Sequence, residues 1–208
     1  MQVELFRDLP LSDGILKGIE EMGFRNLFPI QAQAIVPLLE GRDVIGQAQT
    51  GTGKTAAFGV PMIERLNSKV SYVQALVLEP TRELAAQVAE HIERMAKYAS
   101  IRVLSVYGGE SIEKQIMALR NSPHVIVGTP GRIIDHLKRG TLNLASVRFV
   151  VLDEADRMLD MGFLDEVEYI LSRVPKNRQT SLFSATIDQT VMNLSNKYMS
   201  NPQRILVS

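Results

Sequence analysis

Residues 48–55, Ala48-Gln49-Thr50-Gly51-Thr52-Gly53-Lys54-Thr55, carry the chain from an apolar run at 43–47 into a helical stretch at 54–67. Strand, glycine loop and helix in that order belong to an α/β fold. Gly51 and Gly53 let backbone N–H groups face an anion with no Cβ in the way, and the helix N-terminus adds the positive end of its dipole. Lys54 is placed to reach the β- and γ-phosphates of a nucleotide, and the Thr55 hydroxyl to ligate Mg²⁺. The general pattern begins with glycine, and here that place is Ala48. A glycine-rich turn with no ligand is the plain alternative.

The same rhythm recurs. Runs rich in Val, Ile and Leu at 43–47, 74–78, 102–107, 124–128, 147–153, 180–183 and 204–207 predict strands. Several are apolar at consecutive positions, as strands buried on both faces of a parallel sheet are. Helices are expected at 54–67, 82–98, 111–119, 132–139, 163–172 and 189–199. Two more, at 12–22 and 30–39, form a preface over residues 1–40, with Ser12 as a candidate N-cap. The fold class is therefore α/β, with a mostly parallel central sheet and helices on both faces. With 208 residues, 45% of them hydrophobic, the chain fits one domain around one core.

Lys plus Arg (23) equals Asp plus Glu (23), so any nucleic-acid site has to be local. The chain has no cysteine, which excludes a disulfide scaffold and a thiolate metal site and fits a reducing compartment. The first residues lack a basic segment followed by an apolar one, and no run approaches the length that spans a bilayer. A soluble, cytoplasmic protein with no membrane partner is expected.

In an open parallel sheet, ligands sit beyond the carboxyl ends of the strands. At one such end the run Val-Arg-Phe-Val-Val-Leu delivers Asp153-Glu154-Ala155-Asp156. Asp153 is the expected second anchor of Mg²⁺, directly or through water, and Glu154 the candidate base that orients or deprotonates the attacking water. By itself such a quartet reads equally as a helix N-cap. His91, His124 and His136 show no metal spacing.

These residues resemble the DEAD-box family of ATP-dependent RNA helicases, whose name spells residues 153–156. The resemblance covers almost the whole chain. It includes Pro80-Thr81-Arg82-Glu83-Leu84-Ala85, Gly108-Gly109, Thr129-Pro130-Gly131-Arg132 and Ser184-Ala185-Thr186, in the family's order. Upstream, Gly23-Phe24 and Pro29-Ile30-Gln31 look like the family's glutamine motif, with Phe6 in the place of its isolated aromatic. Leu27-Phe28 stands where the family usually has Pro-Thr.

The resemblance implies a RecA-like P-loop fold over residues 1–208, with the glutamine-motif preface at 1–40 and the core at 41–208. It implies that ATP is held by Phe24, Gln31 and residues 48–55, Gln31 reading the adenine edge and Phe24 stacking on the ring. Lys54, Thr55, Asp153 and Glu154 would carry hydrolysis, with Mg²⁺ on Thr55 and Asp153. Thr81, Arg82, Gly108, Gly109, Thr129, Gly131 and Arg132 would form one wall of a groove for single-stranded RNA, with hydroxyls, backbone N–H groups and guanidinium forks binding phosphate without reading bases. Asp156, Ser184, Ala185 and Thr186 would couple nucleotide to RNA. The family's engine has a second RecA-like domain, and no repeat of it follows residue 208. The isolated domain is expected to hydrolyse ATP very slowly and not to unwind duplexes. A DNA translocase is disfavoured by Asp156 and Gln31, and an ATP-dependent RNA clamp or protein-docking module stands as the alternative reading.

Overall fold

The computed structural model of the chain describes residues 2–207. After a short 3-10 turn at Phe6–Asp8, the described residues form seven strands and nine α-helices: α1 (Asp13–Glu21), α2 (Pro29–Leu39), β1 (Val44–Gln47), α3 (Lys54–Glu64), β2 (Ala75–Leu78), α4 (Arg82–Met95), β3 (Val103–Val106), α5 (Ile112–Leu119), β4 (Val125–Gly128), α6 (Pro130–Arg139), β5 (Phe149–Leu152), α7 (Ala155–Asp160), α8 (Leu164–Leu171), β6 (Gln179–Ser184), α9 (Gln189–Tyr198) and β7 (Gln203–Leu206). The strands form one sheet in the order β3-β4-β2-β5-β6-β1-β7, and every pairing is parallel. The expected α/β fold is therefore present, with a sheet that is wholly rather than mostly parallel.

Burial follows position in the sheet. β2, β4 and β5 lie inside it and are buried at every residue, which is why their sequences run apolar without alternation. The edge strands β3 and β7 are only partly covered. One apolar layer joins α1, α2, α3 and α4 to one face, with Phe58 of α3 against Phe183 of β6 at a ring distance of 5.5 Å. The other packs α6, α7, α8 and α9 on the opposite face, around Leu76, Ile126, Leu152 and Leu182. Burying each large side chain of this kind contributes about 1.5–3 kcal/mol. Asp43, just before β1, accepts from the Thr180 N–H (2.9 Å) and the Ser200 N–H (2.7 Å), which ties the foot of β1 to its neighbours.

Two local expectations are corrected. Ser12 stands ahead of α1 but does not cap it: its hydroxyl and N–H donate to the Glu64 carboxylate (2.8 and 2.9 Å), fastening the preface to the end of α3. Between β5 and β6 the helical segment begins earlier, as α7, and breaks at Gly162, whose φ of 85° is left-handed. Among the described residues no helix is long and apolar enough to cross a membrane.

Candidate nucleotide and RNA-binding sites

The sheet order sorts the candidate residues by strand. The carboxyl ends of β1, β6 and β5, three neighbours, carry the glycine loop, Ser184-Ala185-Thr186 and the acidic quartet. The carboxyl ends of β3, β4 and β2, the next three, carry Gly108-Gly109, Thr129-Pro130-Gly131-Arg132 and Thr81-Arg82.

At the first group a cavity of about 310 Å³ is lined by Thr50, Gly51, Gly53, Lys54, Thr55, Asp153 and Glu154, with Phe24 and Phe28 at one side. Gly53 precedes α3 with φ 83°, and a Cβ there would stand 2.4 Å from Gln31 Nε2, so conformation and space both demand glycine. Thr52 turns inward, its hydroxyl donating to the Gln49 carbonyl (2.6 Å). Ala48 is buried, and its N–H donates to Ser184 O (3.1 Å). Lys54 is buried too: its ammonium donates to Glu154 Oε1 at 2.7 Å and lies 3.7 Å from Asp153 Oδ1. Burial pulls the Lys54 pKa down, but Asp153 and the bond to Glu154 outweigh it and hold it above its ordinary value.

Glu154 immediately precedes α7 with φ 52° and ψ 47°, a left-handed backbone that a glutamate adopts at a cost. Its side chain does not cap the helix. It meets Lys54 instead, so the helix-cap explanation of the acidic quartet does not describe this residue. Asp153 Oδ1 accepts the Glu154 N–H (3.0 Å). A larger concavity, about 490 Å³ between residues 5–7, α1 and Arg25-Asn26, shares Phe24 with this cavity but holds none of residues 48–55 or 153–156.

The two glutamine-motif residues stand differently with respect to the cavity. Gln31 is fully buried and does not line the cavity; Oε1 accepts the Phe28 N–H (2.8 Å) and Nε2 donates to Gly53 O (3.1 Å). The reason is local. Gln31 is the third residue of α2, and its amide oxygen turns back to the N–H of the N-cap residue Phe28, whose own side chain offers no acceptor in return. Phe24 borders the cavity with its ring tilted on Phe6 at 6.1 Å.

Asp156, Ser184 and Thr186 come together. The Asp156 N–H donates to Ser184 Oγ (3.1 Å), and Asp156 Oδ2 accepts from Thr186 N–H (3.0 Å) and Oγ1 (2.9 Å). Burial acts to raise the Asp156 pKa, yet these bonds prevail and hold it below the usual carboxylate value. Ala185 O accepts from Gln47 Nε2 (3.3 Å), so the last residue of β1 touches the same turn.

On the second group, Thr81 caps α4 by accepting the Leu84 N–H (3.3 Å), and Arg82 lies exposed beside Glu83. A Cβ on Gly109 would stand 2.8 Å from Arg82 Nη1, so these two come together. Thr129 precedes α6 without using its hydroxyl as a cap, and Gly108 and Gly131 face open space. Arg132 Nη1 donates to Glu110 O (3.0 Å) and Gln115 Oε1 (3.1 Å).

Several residues at these sites escaped the sequence reading. Leu84, Gln87, Val88 and His91 of α4 line the cavity beside the glycine loop, and their helical spacing was the available signal. Glu79, between β2 and α4, is fully buried and neither carboxyl oxygen has a hydrogen-bond partner among the described residues. Burial and then the Asp153 carboxylate push its pKa well above the ordinary value.

The family model of the DEAD/DEAH box helicases matches residues 28–194. The chain belongs to that family. A DEAD-box ATP-dependent RNA helicase CshA of Geobacillus kaustophilus is 56% identical over 97% of this chain, and that of Bacillus subtilis 50% identical over the same share. The chain spans 43% and 41% of those two relatives. The crystal structure of a DEAD box protein from the hyperthermophile Methanococcus jannaschii superposes on all of this chain and 57% of that one, with a TM-score of 0.95 at 43% identity. The fold is thus the RecA-like domain of a DEAD-box protein, and the loop at 48–55 and the acidic quartet are that family's motifs in place.

Proposed function

We propose that the chain is the ATP-binding half of an RNA-remodelling ATPase, with nucleotide at the β1-β6-β5 edge and single-stranded RNA backbone at the β3-β4-β2 edge. The observation that carries this reading is the meeting of Asp156 with Ser184 and Thr186, which joins the acidic strand end to the turn touching β1. In this reading the free N–H groups at the start of α3 and Lys54 take the phosphates, and Glu154 orients the attacking water. Lys54 then leaves Glu154 for the phosphate. Thr55 and Asp153 are hard oxygen donors that suit Mg²⁺, and the buried cation already drawn against Asp153 supports a site that accepts positive charge. When bound, the ion supplies neutralisation of phosphate charge.

The curated relatives are more than twice as long as this chain, which supports a second RecA-like unit as partner, completing both clefts. A cytoplasmic workplace fits the absence of cysteine. The test is ATP turnover by the intact protein with single-stranded RNA and with DNA of the same sequence. RNA should stimulate turnover strongly and DNA weakly, and Lys54→Ala should abolish it. Equal stimulation by the two, or turnover that survives Lys54→Ala, contradicts the assignment.

A further inference from the structure

Between α5 and α6 lies a polar network that the nucleotide chemistry does not use. Gln115 of α5 is 6% exposed and His136 of α6 is fully buried. Gln115 Nε2 donates to Tyr107 O at 2.9 Å. Its Oε1 receives Arg132 Nη1 at 3.1 Å and lies 2.9 Å from His136 Nε2, while His136 Nδ1 lies 2.8 Å from the Thr141 hydroxyl.

The directions of the bonds at Gln115 are determined. A guanidinium only donates, so the amide oxygen must face Arg132, and the amide nitrogen is then the group on the Tyr107 carbonyl. The same oxygen can only accept from His136, so Nε2 carries a proton, while the Thr141 hydroxyl lies within reach of both His136 Nδ1 and His136 O (3.2 Å). The Gln115 amide cannot turn over without breaking all three of its bonds.

The network closes on one loop. Tyr107 precedes Gly108-Gly109 and Glu110 follows them. Gln115 holds the carbonyl of the first, and Arg132 Nη1 holds the carbonyl of the second at 3.0 Å. Both Nη1 hydrogens of Arg132 are thereby spent inside the protein, and the guanidinium plane is set with Nη2 free of protein acceptors among the described residues.

We propose that Gln115 is a positioning residue of the RNA face, fixing the Arg132 guanidinium and the Gly108-Gly109 loop in the geometry that receives a phosphate, with His136 holding the amide in its one productive orientation. This rests on the RNA reading of Arg132 given above. A mostly buried network of this kind holds a half-buried arginine still, because the bond at its centre, from His136 to Gln115, is closed to water, and Asp135 beside Arg132 Nε (3.9 Å) adds a second restraint on the guanidinium.

The test is the affinity of the intact protein, with a non-hydrolysable ATP analogue, for fluorescein-labelled decauridylate. Gln115→Met keeps the side chain's length and removes every bond. It should weaken RNA binding roughly 5- to 30-fold and leave affinity for the ATP analogue without RNA within about twofold. Because Gln115 acts through Arg132, the same change in an Arg132→Met background should add less than about twofold. Gln115→Glu keeps an acceptor for Arg132 but cannot donate to Tyr107 O, so it should fall between wild type and Gln115→Met. It also serves as the test if the methionine variant fails to fold. Should either Gln115 variant bind RNA as wild type does while Arg132→Met binds weakly, the positioning role is wrong and the RNA reading stands. Fully additive losses in the double variant make Gln115 merely structural and overturn the role as well. If Arg132→Met itself binds RNA normally, the RNA reading of this face fails and the proposal with it.

Discussion

At the level of single residues, Lys54 is the buried positive charge of the cavity at the β1-β6-β5 edge. Its ammonium lies 2.7 Å from Glu154 in a buried setting, where taking away one partner of an ion pair typically costs about 3–5 kcal/mol. Asp153 at 3.7 Å softens that loss for Lys54. Glu154→Gln should therefore leave the protein folded and free the lysine for phosphate. Fluorescent ATP-analogue titration should find affinity equal or several-fold tighter, while ATP turnover falls by roughly 10²-fold or more. A second residue-scale outcome concerns His124, fully buried, whose Nδ1 accepts the Arg102 N–H (3.0 Å) and whose Nε2 donates to Val70 O (2.8 Å). Burial lowers its pKa, so the unfolded chain takes up the proton more readily. The stability it contributes is present above the unfolded value of about 6.5 and is lost as pH falls below it. Urea midpoints should drop between pH 7.5 and 5.5, and less so in His124→Gln. How far single residues can be read from sequence also differs case by case. The roles expected of Lys54 and Asp153 followed from loop and strand end alone. For Gln31 the motif names the residue but not its orientation, since its bonds from the Phe28 N–H and to Gly53 O depend on how α2 meets the glycine loop, and Gln115 was passed over because a glutamine in mid-helix gives no sign of being buried.

Among the elements, α2 begins awkwardly. Phe28 is 48% exposed at its N-cap position and has no side-chain acceptor for the first-turn N–H groups, while Gln31 takes only the Phe28 N–H. Phe28→Thr supplies the missing hydroxyl acceptor, a feature worth about 0.5–1 kcal/mol, and the melting temperature should rise by roughly 1–3 °C. A decrease would mean that the ring's contact with the glycine loop matters more than the cap. Strand existence was legible because β2, β4 and β5 are apolar at every position, and the helices because their apolar spacing has period 3.6. Their order in the sheet was not. Nothing in the chain's own pattern reveals that β6, far along the sequence, inserts between β5 and β1, since that depends on how the apolar faces of separate units pack. The steric tightness at Gly46 was hidden for the same reason: a Cβ there would meet the Phe183 ring of β6 at 2.6 Å.

For the molecule as a whole, the two halves of the carboxyl edge meet where β2 adjoins β5, and the turn at Ser184-Ala185-Thr186 connects the acidic strand end to β1. Coupling between two ligands is a difference in free energy that must reside in contacts that change with state. Ser184→Ala removes the acceptor of the Asp156 N–H and the donor to Thr186 O (2.7 Å). In the intact protein, ATP affinity without RNA should stay within about threefold, while the factor by which RNA tightens ATP binding shrinks toward one. An unchanged factor would remove Ser184 from the coupling path. The overall architecture was legible in the chain because strand, loop and helix alternate along it. The division of the edge into two neighbouring triplets of strands was not, because it follows from the sheet order.

The left-handed backbone at Glu154 also bears on how such a chain drifts over generations. Asparagine or glycine would sit in that conformation with less strain, but either would strip the buried Lys54 of its 2.7 Å partner, a larger loss than the backbone relief. Under the proposed role of Glu154, a lineage that no longer splits ATP is freed from the chemical demand on that side chain yet still held by the electrostatic one. Glutamine, which keeps a hydrogen-bond acceptor for Lys54, is then the replacement that such drift should favour over asparagine or glycine.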